Sequence, residues 1–126
     1  MRSFIAALIT LIVVIVGSIF YTIYVDHIAN DLIKQIDKIS YSIDKKGWKE
    51  TEKEYKSFKK HYLIHEKTLY LLITHEQIST MNTLIDALSS YVASHDKKNS
   101  LAFSAMLKFQ FINIPQEEYL SLSNIL

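Results

Sequence analysis

The sequence has no cysteine, one proline, two glycines and, after Arg2, no arginine. Without cysteine, no disulfide can staple the fold and no thiolate can serve as metal ligand or nucleophile. Without further arginine, there is no guanidinium fork to grip phosphate through paired hydrogen bonds. With so few glycines and prolines the usual interruptions of a helix are scarce, and long helices are expected. No glycine-rich loop is available to cradle a phosphate, and no serine sits in a glycine-flanked nucleophile elbow. Charge is also missing over one long stretch: from Ser3 to Val25 there is none, and Arg2 stands alone before it.

That stretch, FIAALITLIVVIVGSIFYTIYV, is what the chain has instead. About 20 apolar residues in a helix cross the roughly 30 Å hydrocarbon core of a bilayer. A cleavable signal has a shorter core of about 7–15 residues and a small-x-small site. Val16-Gly17-Ser18 is a poor version of such a site, because Ile19, Phe20 and Tyr21 follow it. A pilin-type start needs a glycine-ended leader and an early acidic residue, and neither is present. A buried core helix this long and apolar needs a larger protein around it. Tyr21 and Tyr24 suit an interfacial aromatic belt. Ala6 and Thr10, like Ser18 and Thr22, are small residues at four-residue spacing that would permit close helix contact. Residues 1–25 are therefore expected to be a cytoplasmic stub and a transmembrane signal-anchor helix. The basic head keeps the N-terminus cytoplasmic and puts the body outside the cell membrane, in a single-pass topology.

The body, residues 26–126, has the size of one small domain. Fourteen basic residues oppose thirteen acidic ones over the whole chain, and Arg2 belongs to the head, so the body is neutral. A nucleic-acid binder should show a basic stripe, so no nucleic-acid partner is expected. Lys45, Lys46, Lys49, Lys53, Lys56, Lys59 and Lys60 are interleaved with Asp44, Glu50, Glu52 and Glu54. This reads as a solvated helix face with i,i+4 pairs, with contact to anionic lipid or wall polymer as the lesser alternative.

Hydrophobic spacing divides the body into four helices. Ile28, Leu32, Ile36, Ile39 and Ile43 share one face of a helix that leaves the membrane and stops at Gly47. A second helix begins near Trp48, with a seam of Trp48, Thr51, Tyr55, Phe58, Tyr62, His65, Leu69 and Leu72. From Tyr62 to Ile73 its other faces turn apolar as well, so its second half is expected to be the most buried element. Thr74-His75-Glu76-Gln77 fits a capping box, with Thr74 and Gln77 as the reciprocal pair at the start of helix three. Helix three carries Ile78, Met81, Leu84, Ile85, Leu88, Tyr91 and Val92, and Ser94-His95-Asp96 ends it. Helix four is expected to bury Leu101, Ala105, Met106, Phe109 and Ile112 and to stop before Pro115. The result is an all-α fold: a transmembrane helix continuing into an antiparallel bundle of about four helices over 26–114, then an apolar tail, 115–126, docked on the bundle or a partner. The spacing of Trp48 and Tyr55 resembles a tetratricopeptide opening, but the glycine and alanine positions of that motif are unmet and no second copy follows.

Candidate chemistry is thin. His61 and His65 lie one turn apart, as two metal ligands would, but Tyr62 stands where a zinc protease needs its glutamate. His75 and Glu76 lie at a helix start, where a carboxylate offsets the positive end; pH sensing by His75 is the alternative. Glu117 and Glu118 are adjacent and diverge on any regular element. No catalytic residue, metal site or cofactor is expected, and the chain is read as not an enzyme.

The opening Arg2-Ser3-Phe4-Ile5, Gly47-Trp48 with Tyr55 and Phe58, His75-Glu76-Gln77-Ile78 and, most specific, the ending Leu120-Ser121-Leu122-Ser123-Asn124-Ile125-Leu126 carry a resemblance over nearly the whole chain. It resembles a family of short, N-terminally anchored all-helical proteins of unknown function from Gram-positive, often spore-forming bacteria. The resemblance implies a single span, a helical body and the frequent company of a YetF-like membrane protein encoded alongside. It implies no activity, catalytic residue or cofactor. At the position of Tyr62 the family often carries a larger aromatic.

Three function classes follow. The first is a non-enzymatic accessory or interaction subunit of a larger membrane protein, with Tyr119, Leu120, Leu122, Ile125 and Leu126 as the candidate interface. The second is an extracytoplasmic sensor that binds a small ligand or responds to pH. The third, remote, is a metal-dependent hydrolase resting on His61 and His65 alone. Trp48, Tyr55, Phe58, Tyr62 and Leu69 are the candidate core.

Overall fold

The computed structural model describes the backbone of residues 1–125 and the side chains of residues 1–114. Four helices follow one another: α1 Arg2–Lys45, α2 Trp48–Leu72, α3 His75–Ala93 and α4 Lys97–Ile125. Among the described residues there is no strand. The helices run alternately up and down, and each packs on its sequence neighbours, with α1 and α4 closing the square.

α1 has 44 residues, so it is about 66 Å long. Its two halves have different surroundings. Residues 2–20 are exposed throughout, while the second half buries Val25, Ile28, Leu32, Ile36, Ile39 and Ile43 in the bundle core. The hydroxyls of the bare half are satisfied within the helix. Thr10 Oγ1 donates to the Ala6 carbonyl at 2.9 Å, Ser18 Oγ to Val14 at 2.8 Å and Thr22 Oγ1 to Ser18 at 3.0 Å. These are the small pairs that the spacing suggested for helix contact, with their polar atoms turned back onto the backbone. At the other end the Lys46 and Gly47 amides both donate to the Ser42 carbonyl, and Gly47 takes φ 95°, a region open to glycine without penalty.

α2 starts at Trp48 as its sequence indicates, and Thr51, Tyr55, Phe58, Tyr62 and Leu69 form its buried face. The expectation that its second half is the most buried element fails. Leu63, Ile64, Tyr70 and Leu71 all point outward; Ile64 is 65% and Leu71 87% exposed. A helix at the corner of a square touches two neighbours only, so its outer faces stay bare however apolar they are.

The capping box at the start of α3 is present. The Gln77 amide donates to Thr74 Oγ1 at 3.2 Å, and the Thr74 amide donates to Gln77 Oε1 at 3.0 Å. α3 ends in a Schellman motif: the Asp96 amide donates to the Tyr91 carbonyl, the His95 amide to Val92, and His95 takes φ 57°. Asp96 then caps α4, accepting from the Asn99 amide at 3.1 Å and from Asn99 Nδ2 at 2.8 Å. These bonds hold its carboxyl below the usual carboxylate range, the backbone bond most of all.

α4 differs from its expected form in two ways. Its buried face is Ser100, Ser104, Leu107, Phe111 and Ile114, while Met106, Phe109 and Ile112 face outward. Two small serines one turn apart, both fully buried, lie on the same inward stripe. The helix also runs through Pro115 to Ile125 instead of stopping before it. A proline inside a helix removes one backbone hydrogen bond and kinks the axis, but regular turns can continue on either side. Asp37 and Asp44 of α1 receive Lys108 at 2.9 Å and Lys97 at 3.5 Å from α4. Across the diagonal of the square, Phe111 meets Phe58 and Tyr62 edge to face, with centroids 6.3 and 6.4 Å apart.

Candidate functional site

Of the candidate core residues, four are buried in one cluster and Trp48 lies at its margin. Phe58 is 0% exposed, and Tyr55, Tyr62 and Leu69 are buried beside it with Ile36, Ile39 and Leu88. Trp48 is half-buried at the far end of the bundle, its ring stacked on His95. Two tyrosines carry polar groups into this interior. Tyr55 donates its hydroxyl to the Ile85 carbonyl at 3.1 Å, and Tyr62 to Asn82 Oδ1 at 2.8 Å. Burial, as the largest cause, raises both phenol pKa values above the ordinary tyrosine value. They are structural donors within the bundle.

The histidines do not assemble. His61 Nδ1 donates to the Ser57 carbonyl at 2.7 Å, which occupies one of its two ring nitrogens. Among the described residues no group of three or more His, Asp or Glu side chains converges. His75 lies in the first turn of α3, its ring 6.0 Å from that of Tyr70. The lysine-rich stretch lines a shallow depression with its own acids, Lys46, Lys49, Glu50, Glu52, Lys53 and Lys56. The mixed signs there fit a solvated face.

What the surface offers is apolar. Met106, Phe109 and Ile112 form an outward stripe on α4, with Phe109 61% exposed. Beside them a groove of about 460 Å³ runs between α3 and α4, lined by Thr80, Leu84, Ala105, Met106, Phe109 and Gln110. Leu63, Ile64, Tyr70 and Leu71 form a second bare patch on α2. The sequence reading assigned both sets inward. The signal that places α4 was there in Ser100 and Ser104, whose spacing marks a close-packed face. Of the expected interface, Leu126 and the side chains of Tyr119, Leu120, Leu122 and Ile125 lie outside the described residues, as do those of Glu117 and Glu118.

At the junction of the apolar run and the body, Tyr21 donates its hydroxyl to the Leu72 carbonyl at 2.9 Å, 51 residues away in sequence. The bundle thus begins where the apolar run ends, without a linker. By length and composition the N-terminal part of α1 is able to cross a membrane, and among the described residues its positions 2–20 are exposed.

Neither a curated protein nor a solved structure matches the chain. A family model described as a domain of unknown function, DUF4363, matches residues 19–125, which takes in the end of the apolar run and the whole bundle. The chain belongs to the DUF4363 family.

Proposed function

We propose that the protein is a non-enzymatic, single-pass membrane protein that serves as an accessory subunit of a larger membrane protein. One observation carries this reading: a 44-residue helix is bare along its apolar first half and forms the wall of a folded body along its second. In a bilayer that half has its proper solvent, and its internal hydroxyl bonds leave no polar atom of Thr10, Ser18 or Thr22 wanting water. Arg2 holds the N-terminus in the cytoplasm, and the body stands outside. The groove between α3 and α4, with Met106, Phe109 and Ile112 beside it, is where a partner docks. Contiguous exposed apolar surface on a small body marks an interaction site more often than it is left to water. The partner is a membrane protein of several spans; the resemblance to anchored Gram-positive proteins suggests a YetF-like one.

The test is photocrosslinking in native membranes from position 109, with an acid substitution, Phe109→Asp, as its counterpart. The reading expects one saturable adduct with a multi-span membrane protein and its loss on Phe109→Asp, with body melting unchanged. Deleting residues after Gln116 should weaken the same adduct if the tail shares the interface. Adducts with lipid alone would overturn the reading.

A further inference from the structure

The geometry points to the α2–α3 turn, with Tyr70 and Leu71 at its tip, as a second membrane contact: a wedge seated in the interfacial layer of the bilayer that α1 crosses. This rests on the reading of α1 as a span. The height of the turn is set by the bond from Tyr21 to the Leu72 carbonyl. Tyr21 precedes Asp26, the first charge after the apolar run, by five residues. It therefore lies about 7.5 Å deeper than that charge along the helix. α2 comes down antiparallel to α1, so its last residues reach the depth at which α1 is still apolar.

The tip carries the side chains that such a place requires. Leu71 is almost wholly bare and Tyr70 half so, although both lie between the buried Leu69 and Ile73 in sequence. The neighbouring surface of α1 at this level, Phe20, Ile23 and Tyr24, is exposed and apolar too, so the two surfaces meet one medium. A tyrosine with an apolar body and a polar end suits the headgroup boundary. Lys67, exposed one turn above Leu71, can lay its stem along the patch and keep its ammonium among the headgroups. Glu76, exposed in the first turn of α3, opposes attraction to anionic lipid. The contact is therefore apolar in character and should depend little on salt or on the anionic lipid fraction. Leu63 and Ile64 stand about 10–12 Å farther from the span along α2 and are not part of it.

The absence of native cysteine makes the test direct. Ile12→Cys, Lys53→Cys and Leu71→Cys, each in the full chain, are labelled with an environment-sensitive fluorophore. They are reconstituted in phosphatidylcholine vesicles whose acyl chains carry bromine at shallow or deep positions, with no other protein present. Quenching is expected at 12 and 71 and not at 53. Alkylation of the unlabelled thiol by a charged water-soluble reagent should be about tenfold slower at 71 than at 53, because only a hydrated thiolate reacts. Quenching at 12 with position 71 as water-exposed as 53 would overturn the wedge and leave the span intact. No quenching at 12 would overturn the span, and the wedge with it.

Discussion

Trp48 and His95 stack face to face, with 5.0 Å between ring centroids and 2° between planes, and so join the α1–α2 corner to the α3–α4 corner at the end of the bundle farthest from the apolar run. His95 holds this position with φ 57°, a conformation disfavoured for a residue with a Cβ. A ring pair of this kind contributes about 0.5–1.5 kcal/mol beyond area burial. His95→Ala should therefore lower body stability by about that amount, while His95→Gly, which relaxes the backbone as it loses the ring, should be close to neutral. A double-mutant cycle with Trp48→Ala, read by melting of the full chain in detergent, measures the coupling. A coupling below about 0.3 kcal/mol would mean that the stack contributes nothing.

Phe58 is the aromatic at the centre of the square, touching Tyr62 on its own helix and Phe111 across the diagonal. Truncating such a ring costs about 3–5 kcal/mol, a large part of the 5–15 kcal/mol available to a small domain. Phe58→Ala should unfold the body or lower its melting temperature strongly. Phe109→Ala, on the outer face of the bundle, should stay within about 0.5 kcal/mol of the parent. Equal effects of the two would contradict the assignment of inner and outer faces.

The capping box predicts an asymmetry at the start of α3. Thr74→Ala removes the acceptor for the Gln77 amide and should cost about 0.5–2 kcal/mol, whereas Thr74→Ser should cost little. Hydrogen exchange of the first-turn amides of α3 is the local readout, and faster exchange in the alanine variant alone is the expected result.

Tyr55 and Tyr62 should make the body sensitive to alkali. Their folded pKa values are raised above the ordinary 10.0, chiefly by burial. Their contribution to stability is thus fully present below pH 10 and is lost as pH rises from there toward the folded values. Tyrosinate absorbance, read by difference from Tyr55→Phe and Tyr62→Phe, should show these two phenols ionising only as helical dichroism is lost. Ionisation of Tyr55 and Tyr62 near pH 10 with the dichroism intact would show that these two hydroxyls reach water.

The proposed topology puts the C-terminus outside the cytoplasm. A C-terminal reporter active only in the cytoplasm should stay dark, and one active only outside should be bright. The reverse pattern would invert the protein in the membrane while leaving the bundle unchanged.

The parts of this fold legible in the sequence are those set by neighbours in the chain. Gly47 ends α1, Thr74 and Gln77 begin α3, and the three-four spacing from Thr51 to Leu69 gives the buried face of α2. The end of α3 was only partly legible, because its left-handed residue is His95 where a glycine would have announced it. Faces were misread where a helix has more apolar surface than its neighbours can cover. α4 carries two apolar stripes, and the one that turns inward, Leu107, Phe111 and Ile114, continues from the small buried Ser100 and Ser104, so the choice between stripes depends on tertiary packing that apolar spacing alone does not encode. On α2 the apolar run from Leu63 to Leu71 reads as burial on all sides, whereas a corner helix covers only two of its faces and leaves Leu63, Ile64, Tyr70 and Leu71 on the outer ones.

The continuity of α1 has a mechanical consequence. From Tyr21 to Lys45 the helix has no break and is clamped along its length by α2 and α4, so the body has no hinge at the point where it meets the apolar run. That segment is about 36 Å long, and tilts of about 20° are ordinary for helices accommodating a bilayer thinner than themselves. A tilt of that size would swing the Trp48–His95 corner sideways by about 12 Å. Under the proposed span, a single rigid rod would gear the lateral position of the distal corner to membrane thickness.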